Sequence, residues 1–206
     1  MKNLAGTAGL ERKMRIITGS ARGARLKTPK GQDTRPTADR VKESLFNILG
    51  KMVEGRRVLD IFAGTGSLGL EALSRGAERA VLVDKATAAL ISENARHTRL
   101  ADRAEVMGCD VYSALSRLAG AGRDFSLIFC DPPYHRGLWE RALAALDASE
   151  LLAYEGILVV EHGADENEYP ELKNLQLVLS KTYGHTTQLS FFQRKDYLAA
   201  CEEAEK

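Results

Sequence analysis

The strongest chemical signal in the chain is Asp131-Pro132-Pro133-Tyr134, which directly follows the apolar run Ser126-Leu127-Ile128-Phe129-Cys130. Two prolines remove two backbone donors and stiffen the turn. The Pro132 carbonyl and the Asp131 carboxylate can then act together as acceptors toward one NH2 group. The ring of Tyr134 can stack on the planar base that carries that amine. A merely rigid strand-to-loop turn would not require Asp, Pro, Pro and an aromatic in this order.

A second constellation lies upstream, where Val58-Leu59-Asp60-Ile61-Phe62-Ala63 runs into Gly64-Thr65-Gly66-Ser67-Leu68-Gly69. This is a strand, a GxGxxG turn and a helix, in the order a nucleotide-type ligand needs. Glycine lets the backbone approach the ligand, and the helix start presents free N–H groups. The motif alone also describes a tight turn, but Asp60 sharpens it. A carboxylate there would repel a dinucleotide pyrophosphate and suits a ligand carrying a cationic amino-acid moiety. Asp84 comes twenty residues after Gly64, at the end of the second strand, where it can accept from both ribose hydroxyls or serve as an ordinary strand-end aspartate. Asp110 ends the third strand at the same edge. It can face an adenine amino group, with Val111 offering its amide, or cap the next helix, and the two roles are compatible. His97, His135, His162 and His185 are scattered; of these only His135, beside the proline motif, is placed to touch a substrate, and a plain surface role is the favoured reading for it. No metal is expected.

These residues must be positioned by a sheet. From residue 57, short apolar strands alternate with amphipathic segments: Val58 to Ala63, Ala80 to Val83, Ala104 to Gly108, Phe125 to Cys130 and Gly156 to Glu161, with helices reaching Arg75, about Arg99 and Ala119 and spanning Leu138 to Leu146. That alternation predicts a parallel sheet covered on both faces. Leu175 to Tyr183 and Thr186 to Arg194, split by Gly184-His185, predict an antiparallel hairpin closing one edge. The expected fold is α/β, a doubly wound, mostly parallel seven-stranded sheet.

The front quarter reads differently. Arg15 to Thr18 and Ala24 to Thr28 flank a Gly-Ser-Ala-Arg-Gly turn and suggest a small basic hairpin. Pro36 then opens a helix whose Val41, Leu45, Ile48 and Leu49 form one stripe for docking on the main domain, with Gly50 as its stop. Residues 1 to 57 hold 14 Lys+Arg against 5 Asp+Glu, a charge of +9, while the remainder holds 15 against 23, a charge of −8. Such asymmetry points to a polyanion met by one part of the molecule or to a solvated basic surface. The expected organisation is a leader at 1–13, a basic hairpin and docking helix at 14–50, a catalytic domain at 51–197 and a tail at 198–206.

Composition narrows the class. With 44% hydrophobic and 28% charged residues the chain is an ordinary globular protein, not a disordered or fibrous one. No window approaches the roughly 18 apolar residues of a membrane span, and residues 1–14 lack the apolar core of a secretion signal. Cys109, Cys130 and Cys201 are odd in number, with no CxxC. They fit a reduced, cytoplasmic compartment better than a disulfide framework.

The DxFAGTG loop, the acidic end of the second strand and DPPY together resemble the class I S-adenosylmethionine-dependent methyltransferases that modify exocyclic or amide nitrogens. RIITGSARGARLKTPKG followed by TRPTADRVKESLFNIL resembles the amino-terminal segment of the RsmD-type small-subunit rRNA guanine-N2 methyltransferases, and the likeness covers about residues 14 to 195. It implies a bacterial enzyme that methylates N2 of guanine 966 in 16S-type rRNA, releasing S-adenosylhomocysteine. Carried over by position, Asp60 and the backbone of Phe62, Ala63, Gly64, Thr65 and Gly66 hold the methionine end. Asp84 with Lys85 holds the ribose, and Asp110 with Val111 the adenine. Asp131, Pro132, Pro133 and Tyr134 receive the guanine. Arg15, Arg22, Arg25, Lys27, Arg35 and Arg40 hold RNA phosphates. The implied partner is small-subunit rRNA or a 30S-type assembly particle, met by a monomer. Competing readings are a DNA amino-methyltransferase, which usually carries a separate target-recognition domain, an NAD-dependent oxidoreductase, which Asp60 and the proline motif oppose, and a non-catalytic RNA-binding module.

Overall fold

The computed structural model describes residues 14–29 and 36–204. The expected leader at 1–13 and Arg35 lie outside them. In chain order the elements are α1 (Pro36–Leu49), a 3-10 turn (Gly50–Val53), β1 (Arg57–Asp60), α2 (Ser67–Ser74), β2 (Arg79–Val83), α3 (Ala88–His97), β3 (Ala104–Met107), α4 (Val111–Gly120), β4 (Phe125–Cys130), α5 (Leu138–Asp147), β5 (Leu152–Gly163), β6 (Leu175–Tyr183), β7 (Thr187–Arg194) and α6 (Lys195–Ala204). The seven strands form one sheet in the order β3-β2-β1-β4-β5-β7-β6. Strands β1 to β5 pair in parallel, and β7 enters antiparallel between β5 and the edge strand β6. The doubly wound seven-stranded sheet expected from the alternation is therefore present.

Period-two alternation along the central strands feeds two cores, one on each face. Val58, Leu82, Leu127 and Phe129 join Leu70, Leu73 and Ile91 on one side. Leu59, Ile61, Val81, Val83 and Ile128 join Leu115, Leu118, Trp139 and Leu143 on the other. β5 starts earlier than its apolar run suggests. Its register against β4 jumps from Phe125–Leu152 to Leu127–Ile157, so an irregular stretch around the exposed Tyr154 precedes the buried part.

The basic front is not a separate body. One antiparallel bridge, Arg15–Arg25, closes the hairpin, and Ile16 and Leu26 are buried in the α2-side core. On α1 the buried stripe is Val41, Leu45, Phe46 and Leu49. Phe46 takes the place expected for the half-buried Ile48, since i, i+4, i+5 and i+8 share the face that meets the sheet. Its ring lies 5.7 Å from that of Phe129. The boundary expected at residue 50 therefore separates two segments of one core.

Buried polar side chains fasten the hairpin backbone. The Glu71 carboxylate, on α2 and fully buried, accepts the Ile17 N–H at 2.7 Å and the Thr18 N–H at 3.0 Å. It pairs with Arg75 at 2.9 Å and with the buried Lys42 at 3.5 Å. Burial pushes the Lys42 pKa down, against the pull of Glu71. Lys42 Nζ also donates to the Arg15 carbonyl at 2.6 Å and to Ser67 Oγ at 3.1 Å. Asn94 accepts the Lys27 N–H at 2.8 Å and donates to the carbonyls of Lys27 and Thr65, so it ties the hairpin to the glycine loop.

In its described part the expected tail is helical: residues 198–204 form the rear of α6, a helix with no buried residue. It is held by the Arg194–Asp196 pair at 2.6 Å and the edge contact of Tyr197 with Tyr154 at 5.4 Å.

Glu71→Ala should destabilise the protein by about 3 to 5 kcal/mol, because it strands a buried cation and two amides. Denaturant unfolding measures the loss, and limited proteolysis should show earlier cutting within residues 14–29.

Candidate active site

Strand order reverses between β1 and β4, which are neighbours although three helices and two strands separate them in sequence. Helices leave the sheet toward opposite faces at such a point, opening a crevice at the carboxyl ends of the strands. A cleft of about 560 Å³ lies there, lined by residues that include Phe62, Gly64, Asp84, Thr87, Asp131, Pro132, Pro133, Tyr134, Glu161 and Thr187. The sequence motifs thus converge on one cavity.

The glycine loop follows β1. Gly64 and Gly66 have φ of +55° and +82°, the left-handed region where other residues are strained. A Cβ on Gly64 would have only the Phe62 carbonyl at 4.0 Å within reach, so the loop presents bare backbone to the cleft. Gly69 serves packing instead, for a Cβ there would sit 2.7 Å from Leu82 Cδ2 and 3.3 Å from Asp60 Oδ2. α2 is held against the sheet by that close approach.

Asp60 lies under the loop, 1% exposed. Its Oδ2 accepts the Gly69 N–H at 3.0 Å, while Oδ1 is buried without a partner. Burial, with the charge of Asp84 adding and the amides of Gly69 and Phe62 opposing, raises its pKa from 3.8 to about 7. Asp84 braces the loop, accepting the Gly64 N–H at 3.0 Å on Oδ2 and the Ala86 and Thr87 N–H groups at 2.8 and 3.0 Å on Oδ1. Asp110 caps α4, Oδ1 accepting from Tyr112 N at 3.0 Å and Ser113 N at 3.3 Å. The capping alternative therefore holds for Asp110. Neither it nor Lys85 or Val111 lines the cleft, nor do Asp60, Ala63, Thr65 and Gly66. The Thr65 hydroxyl turns to Met14 Sδ at 3.0 Å.

On the other wall, burial raises the Asp131 pKa well above the ordinary carboxylate range, reinforced by the charges of Glu161 and Asp60. Burial also raises that of Glu161, against the hydrogen bond from Tyr134. The Tyr134 hydroxyl donates to Glu161 Oε1 at 2.6 Å, with Thr187 Oγ1 3.3 Å away. Its phenol pKa is pushed up, first by burial and then by the Glu161 charge. Such an arrangement can accept hydrogen bonds from an amino group while an aromatic ring covers the plane that carries it.

Glu161, Thr187 and Val41 line the cleft although the sequence reading gave them no site role, Val41 being read there as part of the docking stripe. The signal for Glu161 was available, since it ends the run Ile157 to Val160 as Asp131 ends β4. His135 does not line the cleft, and its ring lies 4.0 Å from Asp165 on the surface. Arg15, Arg22, Arg25 and Arg40 are exposed, and Lys27 is paired with Glu93. The described residues contain no group of three His, Cys, Asp or Glu able to hold a metal, and no helix long and apolar enough to cross a membrane.

A family model described as conserved hypothetical protein 95 matches residues 14–193. The putative rRNA methyltransferase YlbH of Bacillus subtilis is 41% identical over 176 residues, 84% of this chain and 95% of that protein. The ribosomal RNA small subunit methyltransferase D of Escherichia coli is 41% identical over 150 residues, 72% of this chain and 74% of that protein. Among solved structures, the putative methyltransferase yhhF from Escherichia coli superposes with a TM-score of 0.75 at 36% identity, covering 88% of this chain and 98% of that one.

An acid whose native pKa lies above its unfolded one holds its proton more tightly when folded. Its contribution to stability is full below about pH 4 and is lost as pH rises to about 7. Asp60→Asn should therefore gain on the wild type by about 4 kcal/mol across that window, at about 1.4 kcal/mol per unit, and by nothing more above it. Paired unfolding curves at pH 4, 6 and 8 measure the difference.

Proposed function

The chain belongs to the conserved hypothetical protein 95 family, that of the RsmD-type methyltransferases, and from that premise we propose that it methylates the exocyclic N2 amine of a guanine in small-subunit rRNA. The finer target is guanine 966 of the 16S-type molecule, met as rRNA or as a 30S-type assembly particle by a monomer in the cytoplasm. One observation carries the reading: a single cleft is lined by both the Gly64–Asp84 wall and the Asp131–Tyr134 wall. A cofactor side and an amine-accepting side therefore face each other.

The residues fit S-adenosylmethionine. Asp60 keeps one buried oxygen without a partner, suited to the ammonium of the methionine end, and Gly64 leaves open space where a side chain would stand. Phe62 and Gly64 would line that end, on the loop that Ala63, Thr65 and Gly66 complete. Asp84, with Lys85 next to it in sequence, would accept from the ribose, and the adenine would extend past the cleft to reach Asp110 and the Val111 amide. When bound, the cofactor supplies a methyl carbon activated by a cationic sulfur.

The chain does the rest by positioning. A guanine amine is a poor nucleophile, because its lone pair is delocalised into the ring. Asp131 and the Pro132 carbonyl would accept hydrogen bonds from its two N–H groups, localising that pair and aiming it. Pro133 stiffens the turn and Tyr134 covers the base. Alignment of this kind can recover about 7 to 11 kcal/mol of barrier. Asp131 must be ionised to accept fully, and its raised pKa means that activity falls as pH drops, from above the ordinary carboxylate range.

The basic hairpin supports an RNA anchor. Arg15 and Arg25 are cross-strand partners, and like charges directly opposite destabilise a hairpin unless an anion lies between them. Arg22 and Arg40 are exposed as well, and a phosphate competing for Lys27 has only a surface pair with Glu93 to displace.

Mapping rRNA from cells lacking the gene should reveal one unmethylated guanine N2, restored by the purified protein. A fully modified rRNA in those cells would overturn the assignment. In single turnover, Asp131→Ala should slow transfer by about 10²- to 10³-fold with S-adenosylhomocysteine affinity within a few-fold, while Asp131→Asn should keep part of the rate and flatten its pH profile. Removing Arg15, Arg22 and Arg25 together should lower the log-log salt slope of RNA binding by about 0.7 to 0.9 per true contact. An unchanged slope would leave these residues a purely structural role.

A further inference from the structure

The proposed chemistry uses one carboxylate and one carbonyl to hold the reacting amine, yet the cleft contains a second carboxylate. Cys130 pairs with Val160 in the parallel β4–β5 ladder, so Asp131, which follows the last residue of β4, stands beside Glu161, which continues β5 and pairs with Leu189 of β7, at the carboxyl edge of the sheet. Both line the cleft. Tyr134, whose ring belongs to the same wall, donates its hydroxyl to Glu161 Oε1 at 2.6 Å. Thr187, at the start of β7, stands 3.3 Å from that hydroxyl. Oε2 of Glu161 makes no hydrogen bond among the described residues. Glu161 is thus held by one oxygen and offers the other.

Two carboxylates facing one cavity repel each other, a cost that a ligand with two adjacent donors offsets. Guanine is such a ligand: its N2 amine and its N1–H point the same way from one edge of the ring. Adenine and cytosine carry an amine too, but the neighbouring ring nitrogen is a lone pair. Set against a carboxylate, that lone pair is an unpaired acceptor facing an acceptor, the kind of contact that rejects a wrong partner.

We propose that Glu161 selects guanine by accepting its N1–H while Asp131 and the Pro132 carbonyl hold its N2 amine. Tyr134 then has two tasks, covering the base with its ring and aiming Glu161 with its hydroxyl. The inference rests on the guanine-N2 reading above and assigns that reading a specificity-determining residue.

The test uses small-subunit particles reconstituted with rRNA carrying either guanine or 2,6-diaminopurine at the modified position. Diaminopurine keeps the N2 amine but has a lone pair at N1. The wild-type protein should methylate guanine on the order of a hundredfold faster in single turnover. Glu161→Gln, whose amide can turn either an oxygen or an NH2 toward N1, should cut that preference to about tenfold or less. Its thermal unfolding and S-adenosylhomocysteine binding should stay close to wild type. Tyr134→Phe, which keeps the ring and frees Glu161, should erode the preference in the same direction. Equal losses on both bases, with the preference intact in both variants, would overturn the selectivity role and leave Glu161 a support for Tyr134. A wild-type protein that binds S-adenosylhomocysteine but methylates no guanine in the particle would overturn the substrate assignment itself, and the selection with it.

Discussion

The site depends on the parallel pairing of β1 with β2 on one side and β4 on the other. Because order reverses there, the carboxyl ends of β1, β2, β4 and β5 surround one crevice that no helix fills. Asp60, Asp84, Asp131 and Glu161 all stand at those ends. Four acidic residues far apart in sequence are brought to one edge by backbone ladders whose hydrogen bonds are indifferent to side-chain charge. The mutual repulsion is tolerated because the sheet beneath buries a continuous apolar core on each face.

That concentration of carboxylates shapes the chemistry. Asp60 and Asp131 are both displaced upward by burial, and each feels a neighbouring carboxylate. A cationic group on one wall and hydrogen-bond donors on the other would relieve both strains, so the site is built to be more comfortable occupied than bare. Arg15, Arg22 and Arg25 of the hairpin are exposed and do not line the cleft, so a chain with a net charge of only +1 carries an acidic cleft and a basic surface at once.

The hairpin's place is settled by buried polar groups. Glu71 takes two of its amides, and Asn94 joins Lys27 to Thr65. Every one of these groups finds a partner, so burial does not leave the network half satisfied. A displacement of the hairpin would be felt at the glycine loop through Asn94, through Lys42, which bridges the Arg15 carbonyl and Ser67, and through the Met14–Thr65 contact.

Much of this was legible in the sequence. Strand periodicity, glycine spacing and the Asp-Pro-Pro-Tyr run are local properties, set by steric and hydrogen-bonding rules within a few residues. They sufficed for the seven-stranded sheet and for picking out Asp131, one of the two carboxylates that line the cleft beside Tyr134. The early start of β5 and the helix over residues 195–204 were not legible, because exposed or irregular segments carry no periodic apolar signal, while Phe46 was passed over for Ile48 because both lie near the same apolar stripe and only packing on the sheet shows which is covered. Glu161 was hidden for a different reason: a glutamate ending a strand is unremarkable until β5 is known to lie beside β4. Likewise nothing in the sequence singles out Glu71 and Asn94. Only the tertiary structure buries them against the hairpin, since nothing within reach along the chain shows which surface another segment will cover.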